Sequence, residues 1–61
     1  MNAHIPTQKE LDALEYKLGR QRLAHMLMGL RVKNNPDKLH YHEVVAEDCR
    51  LRIEYIRGIK S

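Results

Sequence analysis

Sixty-one residues, about 7.2 kDa, make a single domain and nothing larger. Apolar residues are 43% of the chain and charged residues 31%, a balance that excludes both a disordered polyelectrolyte and a membrane-embedded protein. The one cysteine, Cys49, excludes an internal disulfide, and no four-ligand zinc pattern is present. A chain this short buries only about 60% of its unfolded surface, which leaves association with another chain as the way to enlarge its core. The same small volume leaves little room for a pocket shielded from water, and argues against an enzyme.

Residues 1–6 form an N-terminal arm without the basic stretch and apolar run of a secretory signal. The most apolar run, residues 23–30, is broken by His25 and falls far short of the roughly 20 residues that span a bilayer. A cytoplasmic protein with a reduced thiol and no membrane partner is expected.

The first helix is predicted over residues 7–33. Its start carries a capping box, Thr7-Gln8-Lys9-Glu10, in which the Thr7 hydroxyl accepts from the Glu10 amide and the Glu10 carboxylate reaches back. Leu11, Leu14 and Leu18 then make one apolar stripe. Tyr16, Leu23, Met26, Leu27 and Leu30 make a second, rotated from the first by about 120°. Met28 and Val32 fall nearer the first stripe. Two dry faces imply two neighbours: one face for the second helix, the other for a partner chain. The alternative is an interruption near Gly19, which costs roughly 1 kcal/mol relative to Ala inside a helix and would realign the stripes. Gln21 and His25 continue the Leu11-Leu14-Leu18 seam as polar residues. They read either as a solvated edge or as a polar layer at a helix–helix interface, which a protonated His25 would weaken.

Asn34-Asn35-Pro36-Asp37 is the turn, because Pro36 disfavours helical geometry at Asn35 and paired asparagines suit a reversal. The second helix is predicted over residues 38–58, capped by Asn35 followed by Pro36, or by Asp37 alone, and stopped by Gly58. Val45, Cys49, Ile56 and Ile59 form its seam, with Arg52 interrupting and Val44, Leu51 and Tyr55 alongside. Residues 49–56 also alternate apolar and polar as a half-buried strand would, but no hairpin-forming Gly or Asn precedes them, and helix is the preferred reading.

Both helices run from acidic to basic. Glu10, Asp12 and Glu15 precede Arg20, Arg22, Arg31 and Lys33; Asp37, Glu43, Glu47 and Asp48 precede Arg50, Arg52, Arg57 and Lys60. Each order opposes its helix dipole favourably. Folded antiparallel, the acidic start of each helix lies beside the basic end of the other, and a four-residue turn permits no other arrangement. Asp48 and Arg52 add an i,i+4 pair. The architecture is therefore an all-α antiparallel helical hairpin that self-associates into a bundle.

No constellation announces catalysis. His40 and His42, the ligand-type residues nearest Glu43, stand about 200° apart on a helix and do not converge on a metal. Cys49 has no activating base and reads as a small buried apolar residue. Gly19, Gly29 and Gly58 are isolated and form no phosphate-cradling loop. No catalytic residue, metal site or cofactor is expected. Net charge is +3 and the pI near 9.3, which permits a nucleic-acid partner. Arg20, Arg31, Arg50, Arg52 and Arg57 would be its contacts, although acidic residues are interleaved with them and Phe and Trp are absent.

In size and layout the chain resembles the plasmid-copy-number regulators, helical hairpins that pair into four-helix bundles. In make-up, including its opening Met1-Asn2-Ala3-His4-Ile5-Pro6-Thr7-Gln8-Lys9-Glu10-Leu11, it resembles the small accessory proteins of temperate, lambda-like phages. That resemblance implies a helical, self-associating, non-enzymatic protein that binds a host protein, and it transfers no functional residue. The expected core is Leu11, Leu14, Leu18, Leu23, Met26, Leu27, Leu30, Val45, Cys49, Ile56 and Ile59. Of these, Leu23, Met26, Leu27, Leu30, Val45 and Ile56 are the expected self-association residues of a homodimer. The expected role is a small regulatory or adaptor protein acting through a protein partner, with an RNA- or DNA-binding regulator as the alternative.

Overall fold

The computed structural model describes residues 5–60, which form two helices, α1 (Gln8–Arg31) and α2 (Pro36–Lys60), packed antiparallel as a hairpin. At the start of α1 the capping box is complete. The Glu10 N–H donates to Thr7 Oγ1 at 3.2 Å, and the Thr7 N–H donates to Glu10 Oε1 at 3.3 Å. α1 runs without a break through Gly19. The Val32 N–H closes its end on the carbonyls of Met28 and Gly29, both at 3.2 Å. Asn35 then caps α2: its side-chain oxygen accepts from the Lys38 N–H at 3.2 Å and its carbonyl from the Leu39 N–H at 2.9 Å. Pro36 occupies the first helical position, where its missing N–H costs nothing. The turn thus falls at residues 32–35 rather than 34–37, because α1 ends two residues before the predicted 33 and α2 begins two residues before the predicted 38. It also passes through Gly58, so that glycine does not stop it. Residues 49–56 are helical, and the alternative strand is not formed.

The seam between the helices follows an alternating 4,3 spacing on both. On α1 it comprises Leu11, Glu15, Leu18, Arg22, His25 and Gly29; on α2, His42, Ala46, Cys49, Ile53, Ile56 and Lys60. Each of these is buried or half-buried. Such spacing is that of helices crossing at a small angle with knobs in holes. Leu11, Leu18, Cys49, Ile53 and Ile56 form the apolar cluster, with Val45 packed at its edge. Cys49 is a free, buried thiol. Several expected core residues lie off this line. Leu14, Leu23, Met26, Leu27, Leu30 and Ile59 are exposed, whereas Ala46 and Ile53, absent from the expected core, are buried. Gly19 needs no interruption to bring the stripes together, because Leu11, Leu18 and Gly29 already fall in line on one continuous helix.

One seam makes one thin layer. The hairpin measures 46 × 22 × 15 Å, and its radius of gyration is 14.3 Å against about 10.5 Å for a compact domain of its length. No described side chain is fully enclosed. None of the described helices is long and apolar enough to cross a membrane. A methyl group at Gly19 would meet nothing within 4 Å. Gly19→Ala is therefore expected to stabilise the hairpin by about 0.5–1 kcal/mol, as measured by denaturant unfolding followed by circular dichroism. Ile53→Ala removes a buried side chain from a core this small and should cost about 2–4 kcal/mol, seen in the same experiment as a collapse of the folded baseline.

Candidate interaction surface

The seam has two unequal halves. Towards the chain ends it is filled by leucine, isoleucine and cysteine. Towards the turn it is filled by Gly29, Ala46 and the imidazoles of His25 and His42. A Cβ added at Gly29 would lie 3.4 Å from Leu39 Cδ1 and 3.7 Å from His42 Cβ, so the helices approach closely there. Small residues on the seam leave the larger ones outside it. Met26 and Leu30 stand beside Gly29 on α1, turned partly away from α2, and remain 49% and 69% exposed. With Leu39 and Ala46 of α2 they border a groove of about 540 Å³. Leu23 extends the ridge by a further turn and is 57% exposed, and Leu27 lies on its outer side.

The rims of this groove carry opposite charges. Arg22 and Lys33 line the α1 side; Glu43 and Glu47 line the α2 side. Hydrogen bonding from Arg50 holds the Glu47 carboxyl below its ordinary range, with a smaller electrostatic contribution from Arg22. Arg50 itself bridges along α2, to Glu47 through Nε at 3.0 Å and to Glu54 at 2.6 Å, and its guanidinium is held more firmly protonated by these carboxylates.

Of the residues expected to mediate self-association, Leu23, Met26, Leu27 and Leu30 share the outer side of α1, as the second stripe implies. Val45 is half-buried at the edge of the apolar cluster, and Ile56 is enclosed within the hairpin's own seam, where it contributes to the fold rather than to an outer surface. The arginines expected to contact nucleic acid are dispersed. Arg20 donates to the Tyr16 hydroxyl at 3.2 Å and lies over its ring, Arg50 is paired as above, and Arg52 pairs with Asp48 at 2.9 Å. Arg57 reaches across to Glu15 at 2.8 Å, and Arg31 takes no part in these pairs.

Two polar layers interrupt the seam. At the open end, Lys60 meets Glu15 at 2.8 Å and also pairs with Asp12, so the acidic start of α1 lies against the basic end of α2 as the charge order implies. Nearer the turn, His25 Nδ1 and His42 Nδ1 are 2.9 Å apart, with the Tyr41 ring edge-on to both. His25 thus belongs to a polar layer inside the hairpin. His42 is half-buried with it, while His40, on the other side of α2, faces solvent. Among the described residues no group of three or more His, Cys, Asp or Glu is gathered to hold a metal. Nothing in the one-helix pattern of residues 40–49 could reveal the His25–His42 meeting, because its partners lie on different helices.

No protein-family model, curated protein or solved structure matches this chain.

The Glu15 layer sets a pH dependence. Hydrogen bonds from Lys60 and then Arg57 lower the Glu15 carboxyl below its usual value, so its contribution is complete above the unfolded carboxylate range and is lost as pH falls through the lowered value. Lys60 is raised by Asp12 and then by Glu15, and its contribution is lost only as pH rises through that raised value. Glu15→Gln should therefore lower the melting temperature at neutral pH, with the gap to the unmodified protein closing on acidification. Thermal melts from pH 2 to pH 8 read this directly.

Proposed function

We propose that the hairpin is a non-catalytic interaction module that works as a pair of copies and acts by binding a protein partner. The observation that carries this reading is the exposed ridge of Leu23, Met26 and Leu30 beside a groove whose two rims have opposite charge. A twofold axis along the hairpin would set α1 of each copy over α2 of the other. The ridge then covers Ala46 and Leu39 of the second copy, and Arg22 faces the acidic rim that carries Glu47. An isologous contact of this kind is self-complementary by construction. The area agrees with it. The chain exposes 5271 Å² against about 4,100 Å² for a compact monomer of its mass, an excess of the order of the ~800 Å² that each partner of a standard interface buries. Met26 and Met28, unbranched and polarisable, suit a surface that adapts to a second protein. A cytoplasmic, reducing setting goes with the free thiol of Cys49, and an accessory role directed at another protein suits a groove that lies open between the two helices.

A nucleic-acid regulator finds less support, because Arg50, Arg52 and Arg57 spend their charge on Glu47, Glu54, Asp48 and Glu15.

Sedimentation equilibrium between about 10 and 500 µM should show a reversible dimer, an interval chosen to span the micromolar affinities of modest interfaces. Leu23→Asp and Leu30→Asp should each weaken it at least tenfold while leaving the helical circular dichroism intact, since both side chains already face solvent. Arg22→Glu should weaken it too, and pairing that change with Glu47→Arg should recover most of the loss. A wild-type chain that stays monomeric across the whole range overturns the paired-hairpin reading.

A further inference from the structure

We propose that His25 and His42 form an acid-sensitive latch, which keeps the half of the hairpin nearest the turn closed until both imidazoles are protonated. The two residues are 17 apart in sequence and come from different helices, yet their Nδ1 atoms are 2.9 Å apart in a half-buried position. At that distance one ring donates its Nδ1–H to the Nδ1 lone pair of the other. The bond fixes opposite tautomers: the donor carries its proton on Nδ1 and the acceptor on Nε2.

The contact responds differently to a first proton and to a second. A first proton settles on the vacant Nε2 of the donor and leaves the Nδ1–H···Nδ1 bond in place, now charge-assisted. A second proton has only the accepting Nδ1 to occupy. Two N–H groups would then face one another across 2.9 Å, each on a positively charged ring, so the rings must part.

Little beside the rings offsets that second charge. On α1, Arg22 lies one turn from His25 and Lys33 lines the same groove, and both are cationic. On α2, Glu43 and Glu47 stand on the opposite rim, and Glu47 is already held by Arg50. Tyr41, 5.1 Å from His42 and 6.0 Å from His25, offers a ring edge rather than a counter-charge. No carboxylate is gathered with the two imidazoles among the described residues.

The helices leave the rings little room to part sideways. A Cβ at Gly29 would lie 3.7 Å from His42 Cβ and 3.4 Å from Leu39 Cδ1. Separating the rings therefore moves α1 and α2 apart around Gly29 and widens the groove between Leu30 and Ala46. The far half is held independently by Leu11, Leu18, Cys49, Ile53 and Ile56. Acid thus opens one end of the hairpin and spares the other. The latch is complete within one hairpin and does not require the second copy.

In acid the unfolded chain binds one proton more than the closed hairpin. Unfolded, the two imidazoles titrate near the ordinary value of about 6.5 and take two protons below it, whereas the closed pair takes one. The latch's contribution is therefore complete above that range and is lost as pH falls below it. Glu15 and Glu47, lowered by their cationic partners, lose their contributions nearer the carboxylate range.

Urea unfolding is followed in the full chain carrying His4→Ala and His40→Ala, which removes the other two imidazoles. The lowest usable concentration is chosen, so that a single hairpin is read. Between pH 7.5 and pH 5 the unfolding equilibrium constant should rise roughly tenfold or more, the mark of one extra proton on the unfolded chain. Asparagine places an amide where the Nδ1 edge of the ring lies, and it takes no proton. His25→Asn or His42→Asn should therefore keep the contact in acid and hold the rise below about threefold. Each is also made on the stabilising Gly19→Ala chain, with circular dichroism at neutral pH reporting the fold. In the two-histidine chain, acid should reduce amide protection at Gly29 and Leu39 more than at Cys49 and Ile53. A stability that does not fall with both histidines present, a fall equally steep in both asparagine variants, or a uniform loss of protection along the chain overturns the proposal.

Discussion

Two helices share a single seam, and everything in this hairpin follows from how few positions that seam offers. An alternating 4,3 line over α1 and α2 provides about six places on each helix, and only five of the twelve are taken by the apolar cluster of Leu11, Leu18, Cys49, Ile53 and Ile56. The others hold small residues, polar ones that meet a partner across the line, and Arg22 on the groove's rim. Glu15 against Lys60 and His25 against His42 interrupt the apolar line, so a slip of one turn would leave a carboxylate and an ammonium facing leucine and isoleucine. Half-buried polar layers of this kind trade stability for register. The hairpin has one register because its polar layers and its apolar positions cannot exchange places.

The same shortage of positions explains the outer surface. A helix that is apolar around most of its circumference cannot hide all of that surface against one neighbour. Gly29 and Ala46 bring the helices together near the turn, and the consequence is that Met26, Leu30 and Leu23 project beyond the contact. Close packing inside and an exposed ridge outside are two results of one choice of small residues.

Much of this was legible in the chain. The Thr7–Glu10 capping box, the Asn35-Pro36 cap, the antiparallel order of charges and the two-faced character of α1 all depend on neighbours within four residues or on the sum of charges, and the structure carries each of them. The core was legible only in part. Hydrophobicity pointed to Leu14, Leu23, Met26, Leu27, Leu30 and Ile59, yet the line that satisfies both helices runs through Glu15 and Arg22, residues that an apolar search passes over, and through His25, which the heptad spacing did mark as a polar continuation of the seam. Ile53 and Ala46 were missed for the same reason, since a seam drawn through Val45 and Ile59 is rotated by part of a turn from the one that α1 accepts. His42 could not be placed beside His25 from sequence, because local spacing along α2 says nothing about which turn of α1 lies opposite.

The distribution of large side chains along the seam has one more consequence. Near residues 32–35 the covalent link already keeps the helices together, and the entropy of bringing them close is small. At the other end, some 25 residues of helix away on each side, the tether restrains them least, and there leucine, isoleucine and the lysine–carboxylate pair take over. Adhesion is strongest where connectivity is weakest. A nick in the link would therefore spare the main grip, and the two halves would have to find one another by diffusion with their best contacts intact.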